Sequence, residues 1–239
     1  MSDLHERCRA VIVLALLLPG CRQPRDVDLE LALSAGAGDV AEVKRLLSRG
    51  ADPNRYDFRT LSPLHAAAAA GHLKVAEILV AAGARVDGGN PTALQYAASE
   101  DHLAVAEYLI DKGADPTRGL SGAARKGHLG MVRLLVARGG QLRDVDDAGG
   151  PLAIAAAYGQ VDVVEWLISE GMSVNIVDRD GYSPLHSAAW TGNLAVVRLL
   201  IGAGGDVNRK TSDGHTPLSL AEKNGHGDVA QYLKTAGAT

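Results

Sequence analysis

The sequence predicts an all-α protein, a solenoid of about seven helix-turn-helix repeats. Three observations carry that expectation. Only 4% of residues are aromatic while alanine and leucine abound, a composition suited to packed helices rather than sheets. A short motif returns along the chain as Ser62-Pro63-Leu64-His65-Ala66-Ala67, Ser183-Pro184-Leu185-His186-Ser187-Ala188 and Thr216-Pro217-Leu218-Ser219-Leu220-Ala221. Finally, Gly38, Gly71, Asp101, Gly127, Gly159, Gly192 and Gly225 are each followed 12 residues later by another glycine: Gly50, Gly83, Gly113, Gly139, Gly171, Gly204 and Gly237.

The first element is a leader. Arg7 and Arg9 precede nine apolar residues, 10–18, and then Pro19-Gly20-Cys21. As a helix that run would cover about 14 Å, half of a hydrocarbon core of ~30 Å, so it is too short to span a membrane. A positive start, a short apolar stretch and small residues at its end read as a secretory signal over residues 1–20. Leu18-Pro19-Gly20-Cys21 also resembles the lipobox of bacterial lipoproteins. That resemblance implies that Cys21 carries the acyl chains, enough for stable anchoring, and that residues 21–27 are a short linker to the membrane. Arg22, rather than Asp, after the cysteine implies an outer-membrane anchor facing the periplasm of a bacterial envelope. The residues alone also admit a conventional signal, an uncleaved anchor or an apolar leader without a targeting role.

From residue 28 to 239 the repeats run without a break. The seven glycine-type positions lie 33, 30, 26, 32, 33 and 33 residues apart. The recurring motif and this period resemble the ankyrin repeat, with its T-P-L-H-x-A signature and period of about 33 residues. In that motif Ser or Thr caps the first helix and proline takes the first helical position, where its missing N–H costs nothing. The paired alanines let helices approach closely, and the glycine supplies the left-handed residue that ends helix one. Within each 12-residue interval an apolar trio at i, i+3 and i+4, such as Val43-Leu46-Leu47, Val132-Leu135-Val136, Val164-Leu167-Ile168 and Val197-Leu200-Ile201, predicts one buried face of helix two.

The remainder of each repeat varies, at 21, 18, 14, 20, 21 and 21 residues, so the variation lies in the projecting finger and helix one. Repeat one lacks the signature, as a capping repeat does. Repeat three has Thr92-Ala93-Leu94-Gln95 and Asp101 in place of the glycine. In repeat four, Gly113-Ala114-Asp115-Pro116-Thr117 is expected to run directly into a short first helix, and repeat five keeps Gly150-Pro151-Leu152-Ala153 without a cap.

Composition and motifs narrow the function. A net charge of -4 and a pI near 6.0 supply no basic surface for a phosphate backbone, so no nucleic-acid partner is expected. The two cysteines, Cys8 and Cys21, both lie in the leader region, which leaves the repeats without a disulfide or a thiolate metal site. His65 and His186 fill the signature, while His72, His102, His128 and His226 follow the end of helix one; equivalents in adjacent repeats lie on the order of 10 Å apart, too far to share a metal. Asp178-Arg179-Asp180-Gly181 begins like a calcium loop but lacks the later bidentate acid. Asp144, Asp146 and Asp147 form a small acidic cluster. No phosphate loop, H-E-x-x-H or G-x-S-x-G is present. The expectation is therefore a protein that is not an enzyme and has no cofactor and no metal.

Binding residues are sought where ankyrin repeats expose side chains, along the concave ends of the first helices and on the fingers. Trp190 occupies a position filled elsewhere by Ala69, Ser99, Arg125, Ala157 and Lys223, a mixture that packing alone does not produce. The next position holds Ala70, Glu100, Lys126, Tyr158, Thr191 and Asn224. Large aromatics on an exposed face suit binding hot spots, the alternative being that Trp190 and Tyr158 pack against a neighbouring helix. The candidate partner-binding set is Trp190, Tyr158, Tyr182, Arg179, Phe58, Arg59, Tyr56, Arg125, Lys126, His215 and Lys223, whereas Trp166 on helix two is expected in the core.

The sequence thus predicts a membrane-tethered protein-protein interaction module of the bacterial envelope, holding a protein partner of unspecified identity. A narrower form is an immunity or inhibitor protein that blocks a secreted toxin or enzyme. A small-molecule-binding or enzymatic accessory role would need an enclosed polar pocket near Tyr96, Arg125 and Lys126, and a structural envelope component would have no discrete partner.

Overall fold

A computed structural model describes residues 27–55, 61–142 and 149–239. The leader with Cys21, the finger residues Tyr56, Phe58 and Arg59, and the acidic cluster of Asp144, Asp146 and Asp147 lie outside the described residues. Among the described residues there are fourteen helices and no strand. The chain divides into two compact units, up to Arg85 and from Val86 onward.

The first unit holds two antiparallel pairs, α1 (Val27–Ala37) with α2 (Val40–Ser48) and α3 (Pro63–Ala69) with α4 (Leu73–Ala81). The second holds five: α5 (Ala93–Ser99) with α6 (Leu103–Asp111), α7 (Thr117–Lys126) with α8 (Leu129–Ala137), α9 (Gly150–Ala157) with α10 (Val161–Ser169), α11 (Pro184–Thr191) with α12 (Leu194–Gly202), and α13 (Pro217–Lys223) with α14 (Gly227–Thr235). Seven pairs stand where seven repeats were expected. Every second helix is 9 residues long, whereas the first helices run from 7 to 11, as the fixed glycine interval predicts. Helices this short are marginal alone, so packing on neighbours holds them. Within the second unit the first helices stack closely through alanines; Ala97, Ala98, Ala123, Ala124, Ala155, Ala156, Ala188, Ala189 and Ala221 are fully buried.

Both glycine columns adopt positive φ throughout, from 61° at Asp101 to 98° at Gly113. Asp101 is the non-glycine exception among the described residues, and its carboxylate approaches His128 Nδ1 at 3.8 Å. At Gly38, Gly127, Gly159 and Gly192 the glycine is required for a second reason, because a side chain of the next repeat folds over it. His72 Nε2 reaches Gly36 O (3.1 Å), Gln160 Nε2 Arg125 O (2.9 Å), Asn193 Nδ2 Ala157 O (3.0 Å) and His226 Nε2 Trp190 O (2.9 Å), and His128 Nε2 makes the equivalent approach to Ser99 O (3.1 Å) beside Asp101. A Cβ on Gly192 would collide with the His226 ring, lying closest to its Nδ1 and 2.7 Å from its Cε1.

Several expectations need correction. The first helix of repeat four is not short: α7 spans 10 residues, because the missing finger lets the chain turn helical at once after Pro116. On the second helices of repeats two to seven the buried face is not i, i+3 and i+4 but i−1, i and i+3, as in Met131-Val132-Leu135, Val163-Val164-Leu167 and Val196-Val197-Leu200; in repeat one only Val43 and Leu46 of the trio are buried, and the i+4 side chains Leu47, Val136, Ile168 and Ile201 are half-buried. Trp166 is half-buried rather than in the core, with the Arg133 guanidinium 5.8 Å from its ring centroid. Thr92, Ser183 and Thr216 cap their helices through complete capping boxes, but the Ser62 hydroxyl bonds the His65 ring instead of a backbone N–H.

A further column escaped the sequence reading. Asn54, Asn175 and Asn208, each four residues after a second-column glycine, donate Nδ2 to Gly83, Gly204 and Gly237 carbonyls at 2.9, 3.0 and 3.1 Å. Their Oδ1 atoms accept from the N–H of Arg85, Asp206 and Thr239. The recurrence of asparagine at one offset was the available signal.

Candidate functional site

The candidate site lies wholly in the second unit, at the C-terminal ends of its first helices and on the finger before α11. Along that edge successive repeats present Ser99-Glu100, Arg125-Lys126, Ala157-Tyr158, Trp190-Thr191 and Lys223-Asn224. Main-chain position is fixed there by the bonds described above, since the carbonyls of Arg125, Ala157 and Trp190 each accept from the repeat that follows. The aromatic side chains therefore project from a clamped backbone.

Among the described residues four large apolar side chains are exposed, and two of them, Tyr158 at 59% and Trp190 at 44%, occupy neighbouring repeats on this one edge. Trp190, Tyr182, Ala157, Asp178, Ser187 and Thr191 line an open cleft of about 330 Å³. Thr191 is held in it, its hydroxyl donating to Ser187 O (3.0 Å) and accepting from Asn193 Nδ2 (2.7 Å). Tyr182 packs edge-on to His186, with ring centroids 5.8 Å apart.

The finger explains the calcium-like motif. Asp178 Oδ1 accepts the N–H groups of Asp180 (2.9 Å) and Tyr182 (2.8 Å), and the Asp178 N–H donates to Tyr182 O (3.1 Å), so this carboxylate closes its own turn. No group of metal-ligating side chains is assembled among the described residues. The next finger is tied on through Ser212, whose N–H and hydroxyl both donate to Asp180 O, at 2.9 and 2.6 Å.

His186 is the fastener beneath. Its Nε2 lies 3.1 Å from Arg209 O and 3.2 Å from His215 O, which can only accept, so Nε2 carries the proton. Nδ1 accepts from the Ser183 N–H at 3.1 Å and meets the Ser183 hydroxyl at 2.8 Å. Burial pushes the His186 pKa below its ordinary value, and the neutral ring is the form these partners fit.

Of the predicted residues, the structure brings Trp190 and Tyr182 into one cleft and sets Tyr158 beside it. Arg125, Lys126 and Lys223 are exposed farther along the same edge, and Arg179 is exposed at the finger tip. The side chain of His215 is half-buried, and its backbone serves His186 and Thr211. The sequence reading missed Asp178, Ser187 and Thr191 as cleft walls. A larger, more apolar cleft of about 600 Å³ lies between α10 and α12, where Ala195, Gly202 and Ala203 leave space beside Glu165 and Arg198. None of the candidate residues lines it, and neither cleft is lined by Tyr96, Arg125 or Lys126.

The arrangement, exposed aromatics over a fixed backbone with an open cleft, is built for contact rather than for enclosing a reactant. A family model described as ankyrin repeats (3 copies) matches residues 29–119 and 120–211. The chain is similar to cyclin-dependent kinase 4 inhibitor B of Bos taurus, 34% identical over 142 residues, which is 59% of this chain and 90% of that protein. The rat (Rattus norvegicus) protein of the same name is 32% identical over 59% of this chain and 91% of its own length. The solved human ASB11 ankyrin repeat domain superposes with a TM-score of 0.76 at 29% identity, covering 87% of this chain and 98% of that one.

Proposed function

The chain belongs to the ankyrin-repeat family, and from that premise we propose that it is a protein-binding module whose recognition surface is the edge carrying Tyr158 and Trp190. The observation that carries this is their joint exposure on backbone that the next repeats hold in place, because such preorganisation lowers the ordering cost of binding. Affinity capture with the wild type and with a Trp190→Ala, Tyr158→Ala double variant tests it. The variant recovers much less of the partner on this reading; equal recovery rejects it.

A narrower reading, inhibition of a toxin or enzyme by occlusion, is favoured by relatives named as kinase inhibitors that match over 90% and 91% of their length. It is distinguished by adding the purified chain to the captured partner and assaying the partner's activity.

The tether belongs to the same proposal. Cys21, in a lipobox-like sequence, anchors the repeats to a bacterial envelope membrane, at the outer membrane facing the periplasm, and the few residues before α1 keep them near the lipid. No described helix is long and apolar enough to cross a membrane. Cys21→Ala releases the protein from the membrane fraction, and unchanged fractionation defeats the tether.

A further inference from the structure

The recognition edge has a charge pattern that its overall composition hides. The whole chain carries a net charge of -4, yet Arg125 and Lys126 at the end of α7 and Lys223 at the end of α13 are exposed and make no ion pair among the described residues. Glu100, one repeat before Arg125, is the opposing charge on the row, and Glu222 is engaged by Lys234 at 2.7 Å. Cations at helix C-termini complement the helix dipole. That alone does not explain their distribution, because α9 and α11, which lie between, carry aromatics there instead. The order along the edge is cation, aromatic, aromatic, cation.

We propose that this edge recognises an extended acidic protein segment in which two apolar residues, about three positions apart, are flanked on both sides by Asp or Glu. The proposal rests on the binding-module reading and specifies its partner. The spacing follows from geometry. Repeats advance on the order of 10 Å, and an extended chain advances about 3.3 Å per residue, so roughly three partner residues correspond to one repeat. The cations of α7 and α13 are three repeats apart, which separates the flanking acids by about nine residues and sets the apolar pair over Tyr158 and Trp190. Asp178, a wall of the Trp190 cleft, disfavours an acid in the middle of the segment while leaving the flanks unaffected. The pattern is the same read in either direction, so it does not depend on peptide polarity.

The test uses the purified protein and two fluorescein-labelled synthetic peptides, each about ten residues long, with the same two leucines flanked by glutamates in one and by lysines in the other. Fluorescence anisotropy is expected to show the glutamate peptide binding at least about tenfold more tightly. A Lys126→Glu, Lys223→Glu double variant with an unchanged unfolding midpoint reverses the preference, and Trp190→Ala weakens the glutamate peptide. If the lysine peptide binds as well or better in a Trp190-dependent way, the acidic partner is refuted while the recognition edge stands. If neither peptide responds to Trp190→Ala, the proposal is refuted, and the partner-capture experiment then decides separately whether the edge itself fails.

Discussion

His226 Nε2 lies 2.9 Å from the carbonyl oxygen of Trp190, so a histidine of the seventh repeat holds the backbone beneath the aromatic that the sixth repeat exposes. Fold and function meet in this bond. The same position after the first-helix glycine serves every junction described in the second unit from Ser99 to Trp190, with Gln160 and Asn193 standing in for histidine.

Removing that fastener is expected to loosen the site before it unfolds the protein. His226→Ala loses one hydrogen bond worth about 1 kcal/mol together with packing over Gly192. The expected fall in melting temperature is about 2–4 °C per kcal/mol for a chain of this size. Hydrogen exchange at the amides of Asn193 and Leu194 checks it, with faster exchange expected in the variant.

The two glycine columns separate strain from crowding. Gly192 and Gly204 have φ of +78° and +89°, so alanine at either pays the left-handed cost of roughly 1–2 kcal/mol. Only at Gly192 would the new Cβ also displace the His226 ring, since nothing lies within 4 Å of a Cβ on Gly204. Gly192→Ala is therefore expected to destabilise by about 1 kcal/mol more than Gly204→Ala in urea unfolding, through loss of the His226 bond.

Stability should depend on pH through His186. Its folded pKa lies below the ordinary value because burial penalises the charged ring. The unfolded chain therefore binds the proton more readily, and the contribution is fully present above the unfolded pKa of about 6.5 and lost as pH falls through the folded pKa. His186→Gln places at the capping-box position the residue that repeat three has there, Gln95, and removes the titration. Urea midpoints of wild type and variant are expected to converge as pH falls below about 6.5. A constant offset from pH 8 to 5 contradicts this.

Much of the architecture was readable from sequence because it depends on local chemistry. A glycine that must be left-handed recurs at fixed intervals, and Asp101 was recognisable as its substitute because aspartate tolerates that conformation. The exposure of Trp190 and Tyr158 was also legible, since their two adjacent columns mix alanine with charged residues that a core position does not accept. What was not legible depended on three-dimensional register. In repeats two to seven the residue before the first of each apolar trio on helix two is buried as well, which the spacing of the trio does not report. Trp166 shares an alignment column with Ile78, Leu134 and Leu199, and all four are half-buried, which their apolar composition does not report. Asp178 and Thr191 joined the site because the finger turn, closed by the Asp178 carboxylate, brings residues of the finger and of α11 around one cleft, a juxtaposition that the motif does not report.

The central claim is that Tyr158 and Trp190 form the recognition surface, and the most direct measurement is the dissociation constant of the captured partner for wild type and for the Trp190→Ala, Tyr158→Ala variant. Truncating two exposed hot-spot aromatics is expected to cost at least about 2 kcal/mol, a weakening of roughly 30-fold. The unfolding midpoint should fall less than for a core truncation, because Tyr158 is 59% and Trp190 44% exposed. A dissociation constant within about twofold of wild type, far short of a hot-spot loss, would contradict the assignment of this edge as the binding surface.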